Sequence, residues 1–177
     1  MPDLSDCRLL WCHGSLSRPW GTKSMALADL AGEFGLVMEG PDFSDLAGPD
    51  DRVERLLTLL AGDDRPVILA GSSMGGYVAA ATALRTPVQS LFLLAPAFYF
   101  PGYAVHVFPD LPDRVTVVHG WDDDVVPADN TIRFARTHKA TLHMLRDGHR
   151  LEGSTETLCV LFARFLAGTK RDLEQHA

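Results

Sequence analysis

Cysteine is scarce in this chain. Cys7, Cys12 and Cys159 are an odd number with no C-x-x-C pair, which excludes a disulfide framework and a cysteine-ligated zinc site and predicts a reducing compartment. Long apolar runs are missing too. The longest uncharged stretch, Thr86 to Pro109, is broken by Pro87, Pro96, Pro101 and Gly102 and never reaches the ~18 consecutive apolar residues of a membrane span. Positive charge is in deficit: Lys plus Arg number 16 against 23 Asp plus Glu, a formal charge of -7, and the basic residues are scattered. Neither nucleic acid nor an anionic membrane is an expected partner. Met1 to Asp6 holds two aspartates and no basic n-region, and the apolar run behind it is shorter than a signal peptide requires. A cytoplasmic protein is expected.

With 46% hydrophobic and 22% charged residues over 177 positions, the chain reads as an ordinary globule and one domain, 1–177. The short apolar run from Arg8 to His13 suits a strand buried on both faces. Helical spacing follows over Ser24 to Phe34, with Ser24 as its cap, then a short strand at Leu36 to Met38. The helical pattern returns at Asp50 to Leu60 and a buried strand at Pro66 to Ala70. Met74 to Leu84 predicts a small-residue helix, Ser90 to Leu94 a strand, and Val115 to His119 a β-branched strand. A helix opens after Pro127, Thr141 to Leu145 is the last strand, and Thr155 to Leu166 the last amphipathic helix. Such alternation predicts an α/β fold of about six mostly parallel strands flanked by helices on both faces.

One segment carries chemistry. Gly71-Ser72-Ser73-Met74-Gly75 fits G-x-S-x-G in a single frame, which makes Ser73 the candidate nucleophile. Glycine is needed two positions either side because a tight strand-to-helix turn would drive larger side chains into neighbouring backbone. The predicted strand before it and helix after it supply that context. The new helix also leaves the Met74 N–H free to hold a developing oxyanion.

A serine hydroxyl needs a general base, and imidazole titrates nearest neutrality. Of seven histidines, His149 lies in a polar loop after the last strand, at the edge where active sites of parallel sheets collect. His13, His119 and His143 end or occupy strands and read as hydrogen-bonded structural residues, while His106, His138 and His176 have no motif around them. The base needs an acid to fix its tautomer. Asp122, Asp123 and Asp124 directly follow the β-branched strand, and one of the three is the best acid in the chain; a hard-cation site or a solvated acidic turn are the competing readings of that run, although it lacks calcium-loop spacing. Serine, acid, histidine is the chain order of the α/β-hydrolases.

In these residues the chain resembles the α/β-hydrolase superfamily, specifically its small, cap-less bacterial esterase-like members. The resemblance runs over nearly the whole length. His13-Gly14-Ser15 is similar to the HG-x loop, Gly71 to Gly75 to the nucleophile elbow, Gly120 to Pro127 to G-x-x-D-x-x-V-P, and Gly148-His149 to the base loop. It implies that Asp123 is the acid and that the Ser15 N–H is a second oxyanion donor beside that of Met74. The chain starts at a strand that would be the third of larger members, and Ala95 to Arg114 is too short for a lid domain.

The expected function is a serine hydrolase cleaving a small carboxylic ester or thioester through an acyl-enzyme, with Ser73, Asp123 and His149 as triad and no cofactor or metal. A binding protein on a hydrolase fold, or an amide or C–C hydrolase using the same triad, are the alternatives. The partner is a small molecule and the chain a monomer or homodimer. Phe98, Tyr99 and Phe100 follow a strand at the same edge, as an acyl pocket or as ordinary packing. Arg18 and Lys23 near the HG-x loop are the available contacts for coenzyme A phosphates.

Overall fold

The computed structural model describes residues 4–175. His176 lies outside them, as does half of the Met1 to Asp6 segment read for a leader. Six strands, β1 (Arg8–Cys12), β2 (Met38–Glu39), β3 (Val67–Ser72), β4 (Ser90–Leu94), β5 (Arg114–Gly120) and β6 (Thr141–Leu145), alternate with five helices, α1 (Thr22–Glu33), α2 (Pro49–Leu60), α3 (Met74–Ala83), α4 (Ala128–His138) and α5 (Thr155–Gln175). The sheet order is β2-β1-β3-β4-β5-β6, and every pair is parallel. This is the single-domain α/β architecture expected. Residues 95–113, between β4 and β5, contain no helix or strand, so no lid covers the sheet edge.

Buried parallel strands present alternate residues to two cores. Leu10, Cys12, Leu69, Leu91, Leu93 and Val117 pack against α2, α3 and α4 through Val53, Val78 and Phe134. Leu9, Trp11, Ile68, Ala70, Phe92 and Val118 face the other way, onto Leu27 of α1 and Phe162 of α5. Every residue of α3 is buried, which its alanine and glycine content permits, since a helix apolar on all sides belongs inside.

Three boundaries differ from the sequence reading. Gly21 is the N-cap of α1, and Ser24, one turn in, instead accepts the Gly21 N–H on its Oγ at 2.8 Å. The Leu36 N–H bonds back to the Ala31 carbonyl, so that residue closes α1 and β2 starts only at Met38. Helix α5 runs on past Leu166 to Gln175. Its buried stripe continues through Thr169 and Leu173, with the Thr169 hydroxyl bonded to the Phe165 carbonyl at 3.1 Å and paired with Ser90 Oγ at 3.0 Å.

The order of connections decides where a ligand can enter. From β1 the chain leaves to β2 on one side, and β3 returns on the other side of β1. The loops after β1 and β3 therefore depart to opposite faces, and the crevice between their carboxyl ends is the switch point where ligands of open α/β sheets bind.

Candidate active site

Ser73 sits in that crevice, at the junction of β3 and α3, with φ 56° and ψ -122°. A non-glycine residue in that region is strained and persists only where its surroundings hold it. Here the Ser73 N–H donates to the Leu94 carbonyl at 2.9 Å, and its own carbonyl accepts from Ala97 N–H at 3.0 Å. The flanking glycines are required by contact. A Cβ at Gly71 would lie 2.4 Å from the Gly75 carbonyl oxygen, and one at Gly75 would lie 1.9 Å from that of Cys12. The elbow is thus pressed directly onto the end of β1.

The structure brings three of the predicted side chains into one line. Ser73 Oγ lies 3.0 Å from His149 Nε2, and His149 Nδ1–H donates to Asp123 Oδ2 at 2.8 Å. The Asp123 side chain is fully buried. Its Oδ1 accepts the N–H groups of Val125 at 2.9 Å and Val126 at 2.8 Å, and both bonds fix the carboxylate in its turn. Asp122 and Asp124 are exposed. The loop bearing His149 crosses β5 at Gly120, where a Cβ would meet the Asp147 carbonyl oxygen at 2.2 Å. Asp147 braces that loop, accepting Gly148 N–H at 2.7 Å and Ser154 Oγ–H at 2.7 Å.

His119 and His13 are both buried and bonded, as read. His119 is more than a core residue, however: its Nε2–H donates to the Val126 carbonyl at 3.0 Å and lies 3.1 Å from Asp123 Oδ2, while Nδ1 pairs with the Thr131 hydroxyl at 2.9 Å. It is a fourth donor beside the carboxylate. Burial holds its pKa below the ordinary histidine value, against the pull of the Val126 carbonyl and Asp123, so a neutral ring with the proton on Nε2 suits the site. His13 donates from Nδ1 to the Gly14 carbonyl at 2.8 Å and accepts Phe43 N–H on Nε2 at 2.9 Å; burial lowers its pKa as well.

Arg52 is a site residue without any signal in the sequence. This buried guanidinium on α2 donates to the carbonyls of Leu46 at 2.9 Å, His13 at 3.1 Å, Gly14 at 3.2 Å and Ser15 at 3.4 Å. A trans peptide points its C=O and the next N–H in opposite directions. With the Gly14 carbonyl held toward Arg52 and His13, the Ser15 N–H is turned away from both. Gly14 itself passes beside the serine, a Cβ there lying 3.6 Å from Ser73 Cβ. Met74 opens α3, so its N–H has no intrahelical acceptor.

A cleft of about 470 Å³ opens beside Ser73 and His149, walled by Trp11, Ser15, Leu16, Lys23 and Val125 among others. Phe98, Tyr99 and Phe100 are not in it. Phe98 is fully buried and stacks on Phe134 at 4.0 Å between ring centroids, edge-on to Phe108 at 5.0 Å; of the two readings offered for the run, Phe98 takes ordinary packing in the core, while Tyr99 and Phe100 are half-buried. Among the described residues no group of three or more His, Cys, Asp or Glu side chains is placed to hold a metal ion, and no helix is long and apolar enough to cross a membrane. Cys12 is buried and its thiol is pushed up to about 12 by burial.

Comparison with solved structures identifies the class. A protein of the alpha/beta hydrolase superfamily from Xanthomonas campestris pv. campestris is 33% identical, with a TM-score of 0.83 over 92% of this chain and 99% of that one. The chain belongs to the α/β-hydrolase superfamily. Est1E from Butyrivibrio proteoclasticus shares the fold at 18% identity and a TM-score of 0.76, over 93% of this chain and 89% of that one. A lid-less α/β serine hydrolase from Xanthomonas campestris does so at 18% identity and a TM-score of 0.67, over 92% and 81%. No protein-family model and no curated protein matches the sequence. Both Xanthomonas proteins are described as hydrolases of the α/β class.

Proposed function

We propose that this protein is a serine hydrolase acting on a small carboxylic ester or thioester through an acyl-enzyme. The observation carrying the reading is the unbroken relay from Ser73 Oγ through His149 to the buried Asp123, at 3.0 and 2.8 Å, in the crevice where the fold admits ligands. Ser73 Oγ attacks the acyl carbon while His149 Nε2 takes its proton. The N–H groups of Ser15 and Met74 stabilise the oxyanion, and His149 returns the proton to the departing alcohol or thiol. Water, activated by the same imidazole, then cleaves the acyl-serine bond to release the acid and restore Ser73. Ester, water and the chain's own groups balance each step. Asp123 holds the Nδ1–H tautomer and stabilises the imidazolium, and His119 supports Asp123 from behind. The site works in one domain without a lid, on a small-molecule partner.

The test is labelling with a fluorophosphonate probe, read by intact mass and peptide mapping. One stoichiometric adduct on Ser73 is expected, absent in Ser73→Ala, with ester kcat in that variant falling about 10⁴-fold or more. No adduct on the folded protein, or an adduct on another residue such as Cys12, overturns the reading.

A further inference from the structure

Of the charged groups in the cleft that the proposed reaction leaves unused, Lys23 lies nearest its machinery. Lys23, half-buried in the first turn of α1, donates from Nζ to the Arg150 carbonyl at 2.8 Å and approaches Ser72 Oγ at 3.4 Å. Ser72 and Arg150 are the chain neighbours of Ser73 and His149, so this ammonium stands one residue from both. An ammonium has three protons, and these two acceptors take two of them.

Three cations line the cleft against a single carboxylate: Arg18, Lys23 and Arg150 face Glu152. Arg18 lies 3.7 Å from Asp42 Oδ2, and Arg150 lies 3.4 Å from Glu152. Lys23 forms no ion pair with any described carboxylate. The nearby Asp147 carboxylate is taken up by Gly148 N–H and Ser154 Oγ–H. An ammonium withdrawn from water without a close counter-charge is unfavourable, and burial pulls Lys23 down to about 8 against the more distant pull of Glu152 and Asp147. Its place adds to the penalty, since the start of a helix carries partial positive charge and favours acidic residues, of which the first turn of α1 has none. Where local rules are broken beside a reactive group, function is the usual reason.

We propose that Lys23 binds a compact anionic group of the substrate, a carboxylate or a phosphate a few bonds from the scissile carbonyl, so that the site prefers acidic esters over neutral ones. This rests on the ester-hydrolase reading above. It also argues against Lys23 as a contact for coenzyme A phosphates, because Lys23, beside Ser72 and Arg150, stands too near the serine for phosphates at the far end of a long pantetheine arm. A lone ammonium is a point charge and accepts either anion. On a chain of net charge -7, this local positive field draws acidic substrate to a surface that otherwise repels it.

The experiment compares kcat/KM within two pairs of esters. Monomethyl succinate is set against its uncharged isostere methyl 4-methylpentanoate, and 2-acetoxyethyl phosphate against its dimethyl phosphate triester. A preference of about tenfold or more for the charged member of one pair is expected, as one charge-assisted hydrogen bond supplies, and the pair that shows it identifies the anion. In Lys23→Gln, which keeps a hydrogen-bond donor without the charge, that ratio collapses chiefly through KM, and Lys23→Arg restores most of it. Equal rates within both pairs overturn the proposal. So does a wild-type ratio in Lys23→Gln, or equal loss on charged and neutral esters, either of which makes Lys23 a latch between α1 and the His149 loop. Fluorophosphonate labelling of the same preparations separates the two claims: Ser73 labelled without anionic preference removes only this inference, whereas no labelling of Ser73 removes the hydrolase reading and this one with it.

Discussion

The two ends of the sheet carry hollows of nearly equal size, about 470 Å³ at the carboxyl end and 520 Å³ at the amino end, the latter between Val88, Arg114, Lys139 and Asp172. Their cations are treated differently. At the amino end Arg114 donates to Asp172 from Nε at 2.6 Å and Nη2 at 2.9 Å, and Arg8 donates to Glu39 through two bonds of 2.8 Å. These are paired, two-pronged contacts at the starts of strands. At the carboxyl end Arg52 and Lys23 bond to carbonyls and a hydroxyl instead, and there too lie the strained Ser73 and the buried histidines. Volume alone does not mark a site; unneutralised charge held in place by backbone does. One end uses its arginines to hold strands to their neighbours, the other to aim loops.

That contrast is sharpest in the arginines. Replacing Arg52 by Met removes four hydrogen bonds, three of them to the His13, Gly14 and Ser15 carbonyls of the loop that carries the proposed oxyanion donor. We expect kcat on a responsive ester to fall about 100-fold, the scale of one oxyanion donor, with a much smaller change in KM. A rise in KM at constant kcat would instead assign Arg52 to substrate binding. Next in size is the response to acid. His13 and His119 are held neutral by burial, so their folded pKa values lie below the unfolded value of about 6.5. Their stabilising share is complete above that pH and is lost as pH falls below it, because the unfolded chain then takes up protons that the folded chain refuses. The melting temperature should drop between pH 7.5 and 5.5, with amide exchange rising first around residues 13–15 and 119–126; loss spread evenly over both ends would break the comparison. Smallest is Asp172→Ala. Opening that half-exposed pair should cost about 1 kcal/mol, a shift of roughly 2–4 °C in Tm by calorimetry, with kcat unchanged.

The sequence disclosed what depends on short spacing. Gly71 announces the elbow because the clash it avoids, with Gly75, lies one helical turn on; Gly75 is legible by its place in the motif, although the backbone it clears, at Cys12, belongs to another strand. His149 was legible as a loop histidine at the correct edge. The choice of Asp123 within the acidic run came from family resemblance, since only the turn itself decides which carboxylate faces inward: Asp122 N–H is tied to the Asp147 carbonyl while Asp123 gathers the amides of Val125 and Val126. Arg52 left no trace, because it occupies one position of an amphipathic helix and the three carbonyls it holds at the HG-x loop lie 37 to 39 residues away. His119 was read as satisfied, which it is, without any local sign that Asp123 is among its neighbours. Phe98 stays undecided in the sequence for a related reason. Strand-edge aromatics can line a pocket or turn under a helix, and the partners that decide it, Phe108 and Phe134, come later in the chain.

The contact at Gly75 has a consequence for how such a protein can be altered. With no room for even a methyl group between the elbow and the Cys12 carbonyl, β1 and the start of α3 form one rigid seam, from which both Ser73 and the loop through Ser15 are hung. The segment opposite begins with Leu16, fully exposed, and runs to Trp20, also exposed. An engineer seeking a new substrate would therefore exchange residues 16–20 as a cassette, keeping Ser17, whose hydroxyl donates to the Gly14 carbonyl at 3.3 Å, and leave the seam itself alone.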